Sequence, residues 1–285
     1  MTRDPVWVDG SLGGTIDPAD RGFTLGDGVF DTAVAFNRKP FAGERHLARL
    51  AAHAEAIGIA LDLAAVRAGW AAVIGAARSE HVILRTTVTR GVTTRGLWPK
   101  APVGAPTIVV SATPWSSGLL GAPVELIVSA IARNAGSPVS RLKALGYLDN
   151  ILSAREAAQR GADDALLLNG DGKVACSTIA NLFVVSGGKL STPPVDDGVM
   201  AGVVRELILE IAPTLGIEAG ERSLTIMDIF AADEVFLTNS VRLLSPVKSL
   251  DARSAGGRDA PRLEGLIAAL AELVRAEHGF DPRAR

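Results

Sequence analysis

SRLKALGYLDN occupies residues 140–150 and contains Lys143, the lysine on which the interpretation of the whole chain depends. The other lysines of the sequence lie in loops, beside hairpin turns or next to a proline. Lys143 instead lies between a strand predicted for Val124 to Ile131 and a helix predicted for Leu148 to Arg160. Desolvation at such a junction lowers the pKa of the amine and frees it to form a Schiff base. The alternative is a surface lysine whose stem covers apolar side chains while its amine stays in water.

Length and composition predict a folded protein with one large core or two smaller ones. The chain has 285 residues, of which 48% are hydrophobic. A net charge of −2 without a basic stripe makes nucleic acid and anionic membranes poor candidate partners. We find no apolar run typical of a signal peptide or a membrane span, and therefore expect a cytoplasmic protein. Cys176 is the single cysteine, which excludes an internal disulfide and a Cys-rich zinc site, and we expect no metal.

The hydrophobic pattern predicts an α+β chain with two lobes. We expect an N-terminal α/β lobe at 1–115, a linker at 116–123 and a C-terminal lobe at 124–285. Strand character at 28–36 and apolar residues at steps of three and four over 44–57 predict a strand and an amphipathic helix. Further helices are predicted at 62–77, 203–211 and 260–277, and further strands at 81–89, 107–112, 165–168, 181–185 and 234–238.

Several separated segments resemble those of one enzyme family. They are RGFTLGDGVF (21–30), HLARL (46–50), Lys143 with YLDN (147–150), NLF (181–183), TPP (192–194), GVVR (202–205) and FLTNS (236–240). In order and spacing, from about residue 5 to 250, they resemble the fold type IV enzymes that use pyridoxal 5'-phosphate (PLP). These include branched-chain and D-amino-acid aminotransferases and 4-amino-4-deoxychorismate lyase. The resemblance implies a two-lobed fold like that of D-amino-acid aminotransferase, with residues 21–30 forming a first strand and turn.

The same resemblance implies a set of cofactor-binding residues. Lys143 would hold PLP and move protons between substrate and cofactor, and Arg49 would pair with the phosphate, which a guanidinium fork suits. Val203 and Val204 would offer backbone N–H groups at the start of a helix, a natural phosphate seat. Val204 stands where the family often has threonine, so one hydroxyl contact is missing. The remaining cofactor-binding candidates are Ser240, Cys176, Ile179 and Ala180.

Substrate-binding residues also follow from the resemblance. Arg85 and Arg95 match basic positions of the lyase branch that face substrate carboxylates, and Thr32 matches a threonine near the reacting bond. Ordinary surface charge is the alternative for both arginines. Val34 replaces an arginine that another lyase position would need. The remaining substrate-binding candidates are Tyr147 and Val241.

Cys176 marks a departure from the family pattern, because a glutamate usually occupies its position. That glutamate keeps the pyridine nitrogen protonated, so that the ring withdraws electrons. A neutral thiol is a weak hydrogen-bond partner, and a thiolate would require the site to lower its pKa. Three outcomes are possible: slow transamination, an elimination that needs less ring delocalisation, or PLP binding with little catalysis. Alternatively, Cys176 is a small core residue and a neighbour does the work of the glutamate.

Four hypotheses about function follow. The first is a homodimeric transaminase that moves an amino group between an amino acid or amine and a 2-oxo acid. The second is the lyase that removes pyruvate from aminodeoxychorismate. The third is a PLP-binding protein with little turnover. The fourth is a structural protein without PLP, which would require Lys143 to be exposed with no pocket nearby.

Overall fold

The computed structural model describes residues 4–98, 104–257 and 260–284, which form helices and sheets. The α-helices are α1 (Arg21–Leu25), α2 (Gly43–Ala56), α3 (Leu63–Ala76), α4 (Leu148–Gln159), α5 (Val203–Thr214), α6 (Ile226–Ala231) and α7 (Pro261–His278). The strands are β1 (Val6–Val8), β2 (Ser11–Leu12), β3 (Gly28–Phe36), β4 (Lys39–Pro40), β5 (Val82–Thr89), β6 (Thr107–Pro114), β7 (Val124–Val128), β8 (Asp164–Leu168), β9 (Val174–Ser177), β10 (Asn181–Ser186), β11 (Lys189–Thr192), β12 (Ala219–Glu221), β13 (Glu234–Asn239), β14 (Leu243–Leu250) and β15 (Arg253–Ser254). No helix in these ranges combines the length and apolar character needed to cross a bilayer.

The chain divides into two compact units, and the first of them is discontinuous in sequence. It comprises residues 1–116 and Leu142–Gly146, while the second comprises 117–141 and 147–285. The predicted C-terminal lobe, 124–285, included the segment that the structure groups with the first unit. That segment joins the first unit because Ala144 forms an antiparallel bridge with Val29 of β3.

The first unit contains an antiparallel six-stranded sheet in the order β2-β1-β6-β5-β3-β4. Its core includes Leu47 and Leu50 of α2 and Trp70 and Val73 of α3, all buried. These apolar residues recur at helical spacing, so each helix turns one face towards the core. The indole of Trp70 donates to the hydroxyl of Thr86 in β5 at 2.7 Å, which satisfies both polar groups inside the core.

Most predicted elements of the first unit are observed, but the short helix before the first long strand was not predicted. Residues 28–36 are strand β3, whereas Arg21–Leu25 form the short helix α1. The carboxylate of Asp20 accepts the Gly22 N–H at 2.7 Å and caps this helix. Gly26, in the left-handed region at φ 66°, ends it.

The second unit contains a nine-stranded sheet with the path β12-β11-β10-β13-β14-β7-β8-β9, and β15 pairs with β14. Leu126, Leu166, Leu182 and Leu237 belong to its buried core. The predicted strand at Val124 to Ile131 ends earlier, at Val128. The elements that were not predicted are β9, β11, β12, β14, β15 and α6.

Candidate active site

The backbone of Lys143 is fixed by two hydrogen bonds inside the first unit. Its carbonyl accepts the N–H of Phe30 in β3 at 2.8 Å, and its N–H donates to Nδ1 of His53 in α2 at 3.2 Å. The Leu145 N–H also donates to the Gly28 carbonyl at 3.0 Å. Lys143 therefore lies on a short extended segment along the start of β3.

The amine of Lys143 has the character that the sequence predicts for a partly desolvated lysine. The residue is half-buried, and Nζ lies 4.3 Å from the ring centroid of Phe30. Burial and the nearby charges of Arg49 and Arg85 lower the pKa of the amine to about 8, against a smaller opposing effect of Asp31. A larger fraction of this amine is thus neutral and nucleophilic near neutral pH than in an ordinary lysine.

A buried ion network lies beside Lys143. Asp31 of β3 accepts from Nδ1 of His46 at 2.6 Å and from Nε of Arg49 at 2.8 Å. Burial opposes the ionisation of Asp31, but Arg49 and His46 outweigh it and lower the pKa of the carboxyl to about 2. Asp31 therefore stays ionised and holds the guanidinium of Arg49 in one orientation.

Helix α2 presents three polar side chains to this region. His46, Arg49 and His53 are spaced by three and four residues, so they share one face of the helix. Burial and the charge of Arg49 are the main causes that lower the pKa of His53 to about 4; Asp31 opposes this shift and Lys143 adds to it. His53 is consequently uncharged at neutral pH.

The two arginines predicted to bind substrate lie on different elements, Arg85 in β5 and Arg95 in the loop that follows it. The guanidinium of Arg85, in β5, stacks 3.9 Å from the ring centroid of Phe30, the same ring that Lys143 contacts. Thr32 pairs with Arg85 across β3 and β5. Arg95 is exposed in the loop after β5, where Arg21 donates to the next two carbonyls of the loop, those of Gly96 and Leu97, at 2.7 Å each.

Cys176 lies in β9 of the second unit and is buried with Ala175 and Val199. Burial raises the pKa of its thiol, an effect that the charge of Arg133 only partly offsets. Cys176 is therefore a neutral thiol at physiological pH. This finding fits both its interpretation as a small core residue and the loss of the acidic partner expected from the resemblance.

The turn that follows β9 contains two predicted cofactor-binding residues. Ile179 is exposed and Ala180 is half-buried, and both line a small pocket within the second unit. Thr178 anchors the turn, because its carbonyl accepts from Asn150 and its hydroxyl bonds to Asp164. Asn239, Arg242 and Ser245 also line this pocket.

The start of α5 has the features of an anion-binding site. Val203 and Val204 are its first two residues, and the preceding Gly202 provides no side-chain cap for their N–H groups. A Cβ at Gly202 would lie 2.2 Å from Oδ1 of Asn181, so any other residue there would have to displace the Asn181 side chain. Both valine side chains are buried, which leaves backbone N–H groups as the donors that this turn can offer.

Asn239 organises the turn between β13 and β14. Its Oδ1 accepts the N–H of Val241 at 3.0 Å and the N–H of Arg242 at 2.7 Å. Ser240, the predicted phosphate ligand, is half-buried at the tip of this turn. In the described part of the chain, the buried hydroxyls of Thr238 and Ser245 near it have no hydrogen-bond partner. Tyr147, predicted to bind substrate, is the residue that precedes α4.

The sequence-based prediction did not include Asp31, His46 and His53, which lie beside Lys143 in the first unit, or Asn239, which lies in the second. A carboxylate in the otherwise apolar strand 28–36 was one available signal, because buried carboxylates require a partner. The helical spacing of His46, Arg49 and His53 was a second. Among the described residues, no group of three or more His, Cys, Asp or Glu side chains could hold a metal ion.

Comparison with known proteins gives consistent results. The family model described as amino-transferase class IV matches residues 28–250. A Methanocaldococcus jannaschii protein provisionally named a branched-chain-amino-acid aminotransferase is 33% identical over 241 residues, covering 82% of each chain.

Solved structures agree with the family match. The T.th. branched-chain amino acid aminotransferase complexed with N-(5'-phosphopyridoxyl)-L-glutamate is 26% identical, has a TM-score of 0.85 and covers 99% of this chain and 95% of its own. A Legionella pneumophila protein provisionally named 4-amino-4-deoxychorismate lyase is 29% identical, with a TM-score of 0.82 and coverage of 91% and 96%. The predicted α+β class of fold type IV is confirmed by these structures. The chain belongs to the class IV aminotransferase family, whose members use PLP.

Proposed function

We propose that this chain binds PLP through Lys143 and moves an amino group between an amino acid or amine and a 2-oxo acid. The observation that carries the proposal is the Lys143 amine, which is fixed at its backbone, half-buried and lowered in pKa to about 8. An amine of this kind attacks carbonyl carbons at neutral pH, whereas an exposed lysine is almost fully protonated. The names of the relatives make branched-chain amino acids the first donors to test.

The donor groups of each unit suit the chemistry of PLP. In the first unit, Arg49 supplies a guanidinium whose orientation Asp31 fixes, as pairing with a phosphate requires. In the second, the uncapped N–H groups at Val203 and Val204 and the hydroxyl of Ser240 suit phosphate oxygens. Cys176 is the exception, because an uncharged thiol cannot hold a pyridinium charge.

Each residue has a definable task in the reaction. When bound, PLP supplies an electron sink for the carbon from which the proton leaves. Nζ of Lys143, in its neutral form, would take the proton from the substrate α-carbon and would deliver it to the cofactor rather than back to the same carbon. Arg85 pairs with the substrate carboxylate and its stacking on Phe30 limits its motion. Lys143 and Arg85 contact the same ring, that of Phe30. This shared contact holds the proton acceptor, Lys143, at a fixed position relative to the carboxylate partner, Arg85.

The visible spectrum of the purified protein tests the proposal. We expect a cofactor band that bleaches when a suitable amino donor is added and returns with a 2-oxo acid. Lys143→Ala should abolish both the resting band and turnover, whereas Lys248→Ala, at an exposed lysine, should leave both unchanged. A band that persists in Lys143→Ala would overturn the assignment of Lys143.

Elimination of pyruvate from aminodeoxychorismate is the second candidate. The Legionella pneumophila structure and the pairing of Thr32 with Arg85 favour it. Val34 weighs against it, because its side chain is buried where the lyase position would need an arginine. Release of pyruvate from the synthetic substrate, measured with lactate dehydrogenase, decides between the two activities. Binding of PLP with neither activity would support the third hypothesis, a protein with little turnover.

We further propose a homodimer located in the cytoplasm. An apolar strip on α4, formed by Leu148, Ile151 and Leu152, is 46–69% exposed and supports association with a second copy. Light scattering of the purified protein and of Ile151→Asp tests the assembly, and cell fractionation tests the compartment. A monomeric native protein would contradict the dimer.

A further inference from the structure

His53 makes an unusual contact with the segment that contains Lys143. Its Nδ1 accepts the Lys143 N–H at 3.2 Å, across 90 positions of sequence. The Lys143 carbonyl is engaged on the other side, by the Phe30 N–H at 2.8 Å. The two peptide groups of Lys143 are thus held between helix α2 and strand β3.

We propose that His53 is a positioning residue for the reaction of Lys143, because it fixes the backbone from which the Lys143 amine extends. The inference rests on the proposed function for its consequence in catalysis, while the hydrogen bond itself can be measured independently. A lysine side chain has four rotatable bonds, so a small rotation of its peptide displaces the amine by a larger distance. Misplacement of a reacting group by about 1 Å can reduce a rate by roughly a hundredfold.

The contact also specifies the protonation state of His53. An accepting Nδ1 requires that the neutral ring carry its proton on Nε2. The charged groups that act on His53 are Arg49 on its own helix, Asp31 in β3 and Lys143 itself. Burial and the two cations outweigh Asp31 and lower the pKa of His53 to about 4. Protonation of Nδ1 would place two N–H groups face to face, so the bond exists above about pH 4 and is lost below it.

Three variants separate positioning from general structural support. His53→Leu removes the acceptor at similar volume, whereas His53→Asn retains an acceptor oxygen that does not titrate. His81→Leu is the matched control, because Nδ1 of His81 also accepts a backbone N–H at 3.2 Å, that of Asn37, in the same unit. The ring of His81 packs against Phe36 and Trp115.

Site-resolved hydrogen exchange of the Lys143 amide, on the full chain, is the first readout. We expect exchange about five- to tenfold faster in His53→Leu, the effect of losing one hydrogen bond, and near-native exchange in His53→Asn and His81→Leu. Below about pH 4 the native chain should lose protection relative to His53→Asn. Unchanged exchange in His53→Leu, or equal acceleration in His81→Leu, would overturn the proposal. If His53→Leu does not fold, the comparison of the native chain with His53→Asn below pH 4 still decides.

Steady-state kinetics with an amino donor provides the second readout. We expect kcat to fall by roughly tenfold or more in His53→Leu with little change in KM, and to recover in His53→Asn. Different results would contradict the positioning role of His53 and the cofactor role of Lys143. A cofactor band that survives Lys143→Ala removes the proposed function and leaves the exchange result standing. Exchange that is independent of His53 removes the positioning role and leaves Lys143 as the cofactor lysine.

Discussion

Arg49 donates from Nε to Oδ2 of Asp31 at 2.8 Å, with only 10% of the Arg49 side chain and 2% of the Asp31 side chain exposed. Removing both charges from water is unfavourable unless each is fully paired. His46 occupies the second oxygen of Asp31 at 2.6 Å, so the carboxylate has a partner on each side. This arrangement directs the guanidinium and makes the local stability depend on one carboxyl group.

Asp31→Asn should therefore be strongly destabilising. Loss of the carboxylate leaves the buried charge of Arg49 without its partner, at a cost of about 3–5 kcal/mol in the free energy of unfolding. Urea denaturation of the native chain and the variant measures this loss. Glu44→Gln is the control, because Glu44 pairs with Arg67 at 2.6 Å where both side chains are exposed. We expect little change for Glu44→Gln, and equal losses in both variants would contradict the buried-network interpretation.

Lowering the pH should also reduce the stability of the chain, because it protonates the carboxylate of Asp31. The pKa of Asp31 is lowered from 3.8 to about 2, so its ionised form contributes stability that is complete above pH 3.8. That contribution is lost as the pH falls through 2, where the folded carboxyl also takes up a proton. Thermal unfolding followed from pH 5 to 2 should show this component in the native chain and not in Asp31→Asn.

Lys143→Met should stabilise the chain when it is stripped of cofactor. Below about pH 8 the amine is protonated in both the folded and the unfolded state, and the folded state disfavours that charge. We expect a gain of about 1–3 kcal/mol near pH 7, reduced by the lost contact with Phe30. The gain should disappear between pH 8 and 10.5, as the folded amine releases its proton first. Lys248→Met, at an exposed lysine 2.7 Å from Glu125, should show no such gain; a gain shared by both variants would refute the explanation.

The reactivity of Lys143 should respond to its charged neighbours in opposite directions. Reductive methylation with formaldehyde, quantified by mass spectrometry, should rise with pH around a midpoint near 8 for this residue. Arg85→Gln removes a positive charge and should move the midpoint upwards, while Asp31→Asn removes a negative charge and should move it downwards. Arg95→Gln, at an exposed position, serves as the control. Shifts in the same direction for both neighbours would rule out the electrostatic explanation.

Cys176→Glu should change the visible spectrum of the bound cofactor and the rate of the first half-reaction. A carboxylate there would raise the protonated fraction of the pyridine, if residue 176 lies where the resemblance puts it. Cys176→Ser keeps a small neutral side chain and should resemble the native protein. The native thiol should also resist thiol reagents until the chain is unfolded, because it is buried and its pKa is raised. An identical spectrum and rate in Cys176→Glu would argue against the correspondence with the family glutamate.

Local sequence patterns predicted the longer elements well. Helix α2 was expected at 44–57 and lies at Gly43–Ala56, and strand β3 lies at Gly28–Phe36 as expected. Helix α2 is long enough for its hydrophobic period to be unambiguous, and β3 is a nearly continuous buried run bounded by turn residues. Strand β14 was missed because Pro246 interrupts its pattern, and a proline argues against a central strand. The structure accommodates Pro246 because the pairing of β14 with β7 begins only at Val247, one residue later.

The candidate site was predictable only in part, for a physical reason. Lys143 and Arg49 could be assigned from short segments that resemble a family. The partnership of Asp31 with His46 and Arg49 depends on how α2 packs against β3, which no local pattern encodes. The contact between His53 and Lys143 spans 90 positions of sequence and likewise required the folded chain.

The segment Leu142–Gly146 has a consequence for the order in which the chain can fold during translation. The first unit receives its last piece, the partner of Val29, only after residues 117–141 of the second unit have been synthesised. A nascent chain that ends at residue 116 lacks the acceptor for the Phe30 N–H and the donor for His53. The first unit therefore cannot be excised as residues 1–116 with its lysine in place, and cleavage between 117 and 141 would leave Lys143 attached to the second fragment while its contacts lie in the first.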